Sequence, residues 1–356
     1  MVAVVCVYGV VMGLYVTLML LYAIGWKKQK EFTLAALEST PLVSVVIALR
    51  NEEENLPRLL ASLKGQTYSN LEILLVNDHS TDASQRIVDE WNDHRVVWIS
   101  SDGMGKKAAL RAGIQCAKGE MILTTDADTI LPDTWVATMV AAFMEQQPAL
   151  LIGPVSIQHA DAWQRTEYYT LEGTTVGSAT MGMPVLCSGA NLAFTAAWYQ
   201  QCLPLLKPQI ASGDDMFLLE ATQKLKGKVA CVKSKEATVY IEGVEDASAY
   251  LRQRARWASK APHYTRWNTW LAATIVALTQ VATAGVWYLA YEQKYFFFVF
   301  VVKFLAEVAL LKQVADYHRT DFPWQKSLLI SMVYPFYTFV VSMFSILPQQ
   351  WKERKI

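Results

Sequence analysis

The stretch PLVSVVIALRNEEENLPRLLASLKG, residues 41–65, decides the fold class. Its first nine residues form a short, valine-rich apolar run of the kind buried on both faces in a parallel sheet. After Arg50 the pattern changes. Apolar residues at 56, 59, 60 and 63 recur at helical spacing, and Gly65 follows as a stop. LEILLV (71–76) reads as a second strand ending in Asn77-Asp78, with a helix expected from near Ser80-Thr81-Asp82. VVWIS (96–100) is a third strand, Gly105 to Lys118 a helix closed by Gly119, and MILTT (121–125) a fourth strand. Strand and helix patterns alternate over residues 42–265, so the class is α/β. Each strand's carboxyl end carries polar residues: Arg50-Asn51-Glu52, Asn77-Asp78, then Asp126 and Asp128. In open α/β sheets ligands bind at that edge.

The chain has 356 residues, enough for one large domain or two smaller ones. Its 53% hydrophobic content exceeds that of an ordinary soluble domain. The excess is concentrated in two blocks. Residues 2–25 carry no charge over roughly a bilayer's worth of helix. A cleaved signal peptide has similar length, but no basic segment precedes this run and no A-x-A site follows it. Lys27, Lys28 and Lys30 follow instead, and the reading is a retained anchor over residues 1–26. The second block, within 266–350, divides into about 270–291, 295–312 and 327–347. Lys303 and Glu307 lie four apart there, on one helical face where they could pair. These segments mark an integral membrane protein. The lysines after the first span place residues 27 to about 268 in the cytoplasm. Five cysteines (6, 116, 187, 202, 231) have neither zinc nor disulfide spacing, which suits a reducing compartment. Zero formal net charge offers nothing to steer the chain towards nucleic acid.

Three acidic or basic groups carry the chemistry. TTDADT (124–129) places Asp126 and Asp128 directly after a buried strand. On an extended segment they would point to opposite sides, one towards a sugar or ribose and the other towards Mg²⁺ or Mn²⁺, which take hard oxygen ligands. A solvated turn with an Asx cap is the plainer alternative. SGDDMFLLEA (212–221) supplies Asp214 and Asp215 before a helical pattern, either as a helix N-cap or with one of them as a general base. QRARW (253–257) lies just ahead of the second apolar block. Cations beside a membrane serve as topology signals, but arginine also suits bidentate phosphate contacts and tryptophan an apolar wall. A metal site, a base and a phosphate-binding arginine are the parts needed to displace a nucleoside diphosphate.

In chain order, VVIALRNEEENLPRLLASLKGQTY, LLVNDHSTD, GKKAALRAGI, TTDADT, CSGANLAF, GDDMFLL and QRARW resemble the membrane-bound family 2 glycosyltransferases of the GT-A fold. That group includes cellulose, hyaluronan and poly-N-acetylglucosamine synthases and ceramide glucosyltransferase. The resemblance runs from about Pro41 to Trp257 and implies a GT-A domain over 40–265. It implies that Glu52 and Asp78 contact the nucleoside, that Lys106 lies near the diphosphate, and that Asp126 lies by the ribose or sugar. Asp128 would ligate the metal, and Asp215 would be the base, with Asp214 as its alternate. Gln253, Arg256 and Trp257 match Q-x-x-R-W, so Arg256 would bind diphosphate and Trp257 line the acceptor entrance. Cys187, Ser188, Gly189, Ala190 and Asn191 would form a loop by the donor sugar and acceptor. Asn77-Asp78-His79-Ser80 departs from D-D-G-S, and Gly213-Asp214-Asp215 from T-E-D, yet the key aspartate survives in both.

The resulting expectation is an inverting, metal-dependent transferase. It would move a hexose or N-acetylhexosamine from a nucleotide sugar, UDP-linked, to a hydroxyl of a lipid or growing glycan, from the cytoplasmic face of a bacterial inner membrane. A polyprenyl-phosphate sugar transferase and a non-catalytic subunit of a glycan-export complex are the alternatives. Topology signalling accounts for some of Arg252, Arg254 and Lys260, not for Gln253 or Trp257. The basic tail 351–356 favours the cytoplasm, which requires one C-terminal segment not to cross fully. The candidates are 295–312, which is short and charged, and 327–347, which Pro335 breaks.

Overall fold

The computed structural model describes residues 2–347, apart from 36, 38, 211, 293 and 294, together with 350–351 and 354–355. Side chains of 2–5, 286–296 and 348–356 lie outside the description.

The chain opens with α1 (Val2–Lys28), then β1 (Val43–Leu49), α2 (Leu56–Lys64), β2 (Leu71–Asn77), α3 (Ser84–Glu90), β3 (Val96–Ser100), α4 (Lys106–Cys116) and β4 (Met121–Thr124). There follow β5 (Thr129–Ile130), α5 (Trp135–Gln146), β6 (Leu150–Ile152), β7 (Val155–Gln158) and α6 (Ala162–Thr180). Next come β8 (Leu192–Thr195), α7 (Ala196–Cys202), α8 (Asp214–Lys224), β9 (Val229–Cys231), β10 (Val239–Glu242) and α9 (Ala247–Ala258). Three long helices, α10 (Trp267–Glu292), α11 (Tyr295–His318) and α12 (Trp324–Ser345), precede two short strands, β11 (Gln350–Trp351) and β12 (Arg354–Lys355).

These elements form two compact units. The sheet unit comprises Lys30–Gln158, Cys187–Glu242 and Gln350–Ile356; the helical unit comprises Met1–Gln29, His159–Leu186 and Gly243–Gln349. Residues 159–186 and 243–265, which the sequence reading grouped with the transferase domain, thus belong to the helical unit.

In the sheet unit seven strands run in the order β3-β2-β1-β4-β8-β6-β9. β3, β2, β1 and β4 are parallel, with Val43 opposite Leu71 on one side and Met121 on the other. β8 runs antiparallel to β4 and β6. Among the described residues a smaller sheet, β5-β10-β7, is not hydrogen-bonded to the large one but shares its core through Val239 and Val155. The parallel run is what brings the carboxyl ends of β1, β2 and β4, and their polar residues, to one edge. The buried face of α2, at Leu56, Leu59, Leu60 and Leu63, packs in one core with Ile47, Ile73 and Trp135.

Local chemistry moves two expected boundaries. The helix expected near Ser80 begins at Ser84, because Asn77 Oδ1 accepts from the Ser80 N–H (2.8 Å) and Asp82 Oδ1 from the Ser84 N–H (3.0 Å). Such side-chain bonds hold a turn in place of helix. α4 stops at Cys116, and Gly119 does not cap it. A Cβ at Gly119 would lie 2.7 Å from Leu42 O, so glycine is there to let the chain pass close to β1.

In the helical unit α1 and α6 touch backbone to backbone. A Cβ at Gly25 would lie 2.2 Å from Gly177 O, and one at Gly177 would lie 2.4 Å from Tyr22 O. The Lys303–Glu307 pair forms, at 2.7 Å, with Lys303 buried. Ser331 of α12 bonds both partners, and the Tyr15 hydroxyl of α1 donates to Glu307. Among the described residues two helical stretches, Cys6–Lys28 and Trp324–Ser345, are long and apolar enough to cross a membrane. α12 runs unbroken through Pro335, contrary to the break that the sequence suggested, and α11 continues beyond its apolar stretch to His318.

Candidate active site

The carboxyl edge of the large sheet gathers most of the expected residues. Asp78, fully buried at the end of β2, accepts the Gly105 N–H on Oδ1 at 2.9 Å. Gly105 has φ of 92°, a left-handed conformation natural to glycine, and opens α4 immediately before Lys106. Arg50, which the sequence analysis left without a role, donates to the carbonyls of Asp78 (2.9 Å) and His79 (2.7 Å) and so ties β1 to β2 at this edge. Glu52 is buried; its N–H donates to Ser84 Oγ (2.9 Å), and its carboxylate accepts from Asn55 Nδ2 (2.8 Å).

Lys106 is the centre of charge. Its Nζ lies 2.6 Å from Asp126 Oδ1 and 3.7 Å from Asp214 Oδ2. Burial opposes its charge, but the Asp126, Asp214 and Asp215 carboxylates outweigh that effect and hold the ammonium's pKa above its ordinary value. One cation thus bridges the loop after β4 and the start of α8.

Asp126 and Asp128 do not lie on the extended segment that the sequence suggested. β4 ends at Thr124 and the chain turns at Ala127-Asp128, braced by Thr129 Oγ1 donating to Asp126 O at 2.8 Å. The turn leaves Asp128 exposed while Asp126 reaches Lys106. Although the Asp128 side chain still meets solvent, the protein packed around it displaces much of its water; that desolvation, then the Asp126 and Glu52 charges, push the carboxyl up to about 6, against the pull of Lys106. No cluster of three or more His, Cys, Asp or Glu suited to a metal occurs among the described residues. Two hard carboxylates at a point of crowded negative charge still fit Mg²⁺ or Mn²⁺, provided that phosphate oxygens and water complete the shell.

Asp214 and Asp215 open α8, but neither is its N-cap. Gly213, at φ 83°, holds that position. Asp215 Oδ2 accepts the Gly189 N–H at 3.1 Å, and Thr124 Oγ1 donates to Gly189 O at 3.1 Å. The Gly189 loop is thereby fixed against both β4 and the expected base. Within that loop Cys187 is buried and Ser188 half-buried. Asn191 corrects the sequence reading. It has no exposed surface, and its side chain bonds Trp135 Nε1 (3.0 Å), Pro154 O (2.8 Å) and Ala237 O (2.8 Å). It braces the core and presents nothing to an acceptor.

Gln253, Arg256 and Trp257 lie on α9, in the helical unit. Arg256 is half-buried, and the Trp257 ring packs edge-on to Tyr168. Arg254 is no topology signal: it is buried and paired with Glu167 of α6 at 2.6 Å.

Comparison with known proteins bears on the family and the fold. The family model described as glycosyl transferase family 2 matches residues 44–191, and that described as glycosyl transferase family group 2 matches residues 121–347. Glycosyltransferase GlyA of Streptococcus pneumoniae serotype 4 is 34% identical over 113 residues, 31% of this chain and 16% of that protein. The undecaprenyl-phosphate 4-deoxy-4-formamido-L-arabinose transferase of Aeromonas hydrophila is 32% identical over 146 residues, 39% of this chain and 44% of that one. The chain therefore spans less than half the length of these curated relatives. The mannosyltransferase PcManGT from Pyrobaculum calidifontis, solved with GDP-Man and Mn²⁺, superposes over 98% of both chains with a TM-score of 0.58 and 17% identity. That likeness carries the GT-A fold.

Proposed function

The chain belongs to the family 2 glycosyltransferases, and from that premise we propose that it transfers a hexose or N-acetylhexosamine from a nucleotide sugar to an acceptor hydroxyl at a membrane. The observation that carries this reading is the Asp215 carboxylate, oriented by the Gly189 N–H beside the Lys106–Asp126–Asp214 charge cluster. A carboxylate so held accepts the proton of an approaching hydroxyl. The acceptor oxygen then forms its bond to the anomeric carbon as the bond to the diphosphate breaks, on the opposite face, with inversion. Lys106 and Arg256 hold the leaving diphosphate's charge, and Glu52 and Asp78 hold the nucleoside. Asp126 and Asp128 would hold Mg²⁺ or Mn²⁺, which supplies further charge stabilisation to the diphosphate. The donor is UDP-linked in our reading, the acceptor is a lipid or a growing glycan, and the sheet unit faces the cytoplasm.

A second reading, a polyprenyl-phosphate acceptor, is favoured by the name of the Aeromonas relative. Such an acceptor arrives already ionised and needs no base, and Asp214 and Asp215 would repel it. The test is a donor screen with the full chain in detergent, following nucleoside diphosphate release and label in lipid and glycan fractions. Sugar appearing on a hydroxyl supports the first reading. A glycosyl phosphodiester would establish the second.

A further inference from the structure

Between Gln253 and Arg256 the chain places an arginine that faces inward. Arg254 is 5% exposed. Its Nε donates to Glu167 Oε2 at 2.6 Å, and a terminal nitrogen donates to Gln253 Oε1 at 2.7 Å. The guanidinium lies 4.0 Å from the ring centre of Trp257, 4.4 Å from Tyr250 and 5.1 Å from Tyr168. The Glu167 carboxylate also accepts from the hydroxyls of Tyr250 and, at 3.0 Å, Tyr334. Helices α6, α9 and α12 thus meet at one ion pair.

A buried ion pair is a poor route to stability, since apolar side chains of similar volume often do as well. A guanidinium adds direction, because its donors and flat faces have fixed geometry. Successive helical residues turn by about 100°, so Trp257 shares a side of α9 with Arg254 while Arg256 lies about 200° round from it. Pinning Arg254 therefore fixes three things: the rotation of α9 that aims Arg256, the Trp257 ring and the Gln253 amide. We propose that Arg254, held by Glu167, is a positioning residue that orients Gln253, Arg256 and Trp257 for sugar transfer. This rests on the reading above that those three residues act on donor and acceptor.

The test uses the full chain in detergent, with calorimetric binding of UDP and of GDP, each with Mn²⁺, and thermal melting. Arg256→Ala examines the underlying reading. If it binds nucleotide like wild type, or if wild type binds neither nucleotide, that reading fails whatever Arg254 does. Two variants examine the proposal. Arg254→Lys keeps the charge facing Glu167 but loses the fork and the flat stacking face. The double variant Glu167→Gln with Arg254→Met removes both buried charges together. Whichever of these melts within a few degrees of wild type should bind nucleotide about tenfold more weakly, the scale expected of a misaimed contact. Wild-type affinity in either folded variant would overturn the proposal. Failure of both to fold would also overturn it, because the cluster would then serve folding alone.

Discussion

Asp214 and Asp215 are neighbours with different partners, Lys106 for one and the Gly189 N–H for the other, and that difference makes them separable. Asp215→Asn keeps an oxygen for Gly189 but loses the proton acceptor. Turnover should fall by about 10²–10⁴-fold while nucleoside diphosphate affinity stays near wild type. Diphosphate release and calorimetry measure the two quantities. Retained turnover in Asp215→Asn, with loss in Asp214→Asn, would move the role back one residue. Asn191 predicts the opposite behaviour. Asn191→Ala strands the Trp135 indole N–H and the carbonyls of Pro154 and Ala237 in the core, at a cost of about 3 kcal/mol or more. Its melting temperature should drop sharply, while the folded fraction keeps near-normal turnover; a selective loss of turnover at unchanged melting would restore Asn191 to the acceptor side. Both residue types were legible in the sequence, as acids before a helix and an amide in a loop. Their directions were not. Asn191 is turned inward by contacts with distant residues: a Cβ at Gly153 would come within 2.2 Å of its side chain, and no local pattern records that approach.

The crossing of α1 and α6 depends on two glycines rather than on an apolar stripe. In Gly177→Ala the new methyl would meet the Tyr22 carbonyl at 2.4 Å, and a helix backbone cannot step aside as a flexible side chain can. The helices must separate, with a loss of about 1–3 kcal/mol by the scale of overpacked cores. Gly13→Ala is the control, since nothing lies within 4 Å of its new methyl. Thermal melting in detergent should separate the two variants, and equal melting would contradict the close crossing. The alternating elements up to β4 could be read from sequence because each has a clear period and each is bounded by turn residues. α6 could not. AWQRTEYYTLEGTTVGSAT carries no apolar face, and its burial rests on Gly173 and Gly177 and on the charge partners of Glu167 and Glu172. The antiparallel β8 has no local signature either, since strand direction depends on the connections that precede it.

For the whole chain the remaining question is the side on which the C-terminus lies, and contacts along α1 supply a ruler. Phe300 packs with Tyr8 and Met12, Glu307 takes the Tyr15 hydroxyl, and the Tyr317 ring meets Trp26 at 5.6 Å. α11 therefore runs parallel to α1 and ends level with the lysine end of that helix. There His318 pairs with Glu172 of the polar helix α6 at 2.7 Å. If α1 crosses with Lys27 and Lys28 in the cytoplasm, α11 returns the chain to the cytoplasmic side. α12 begins at Trp324, four residues beyond Thr320, whose hydroxyl lies 2.8 Å from that of Tyr169 on α6. Its early residues Leu328 and Met332 pack against the Tyr8–Met12–Phe300 group, and Tyr334 reaches Glu167 on α6 further along the helix. We propose that α12, although unbroken at Pro335, does not cross fully outwards. Two other features favour the same side. Gln350–Ile356 groups with the sheet unit, and the tail is basic at Lys352, Arg354 and Lys355, of which Lys352, like Glu353 and Ile356, lies outside the described residues. We expect a cysteine placed at position 355, in a background freed of the native cysteines, to resist an impermeant thiol reagent added outside sealed right-side-out vesicles. Inverted vesicles should expose it to the same reagent. Labelling only from the outer side would mean that α10, α11 and α12 each cross completely, and this reading of α12 would be wrong.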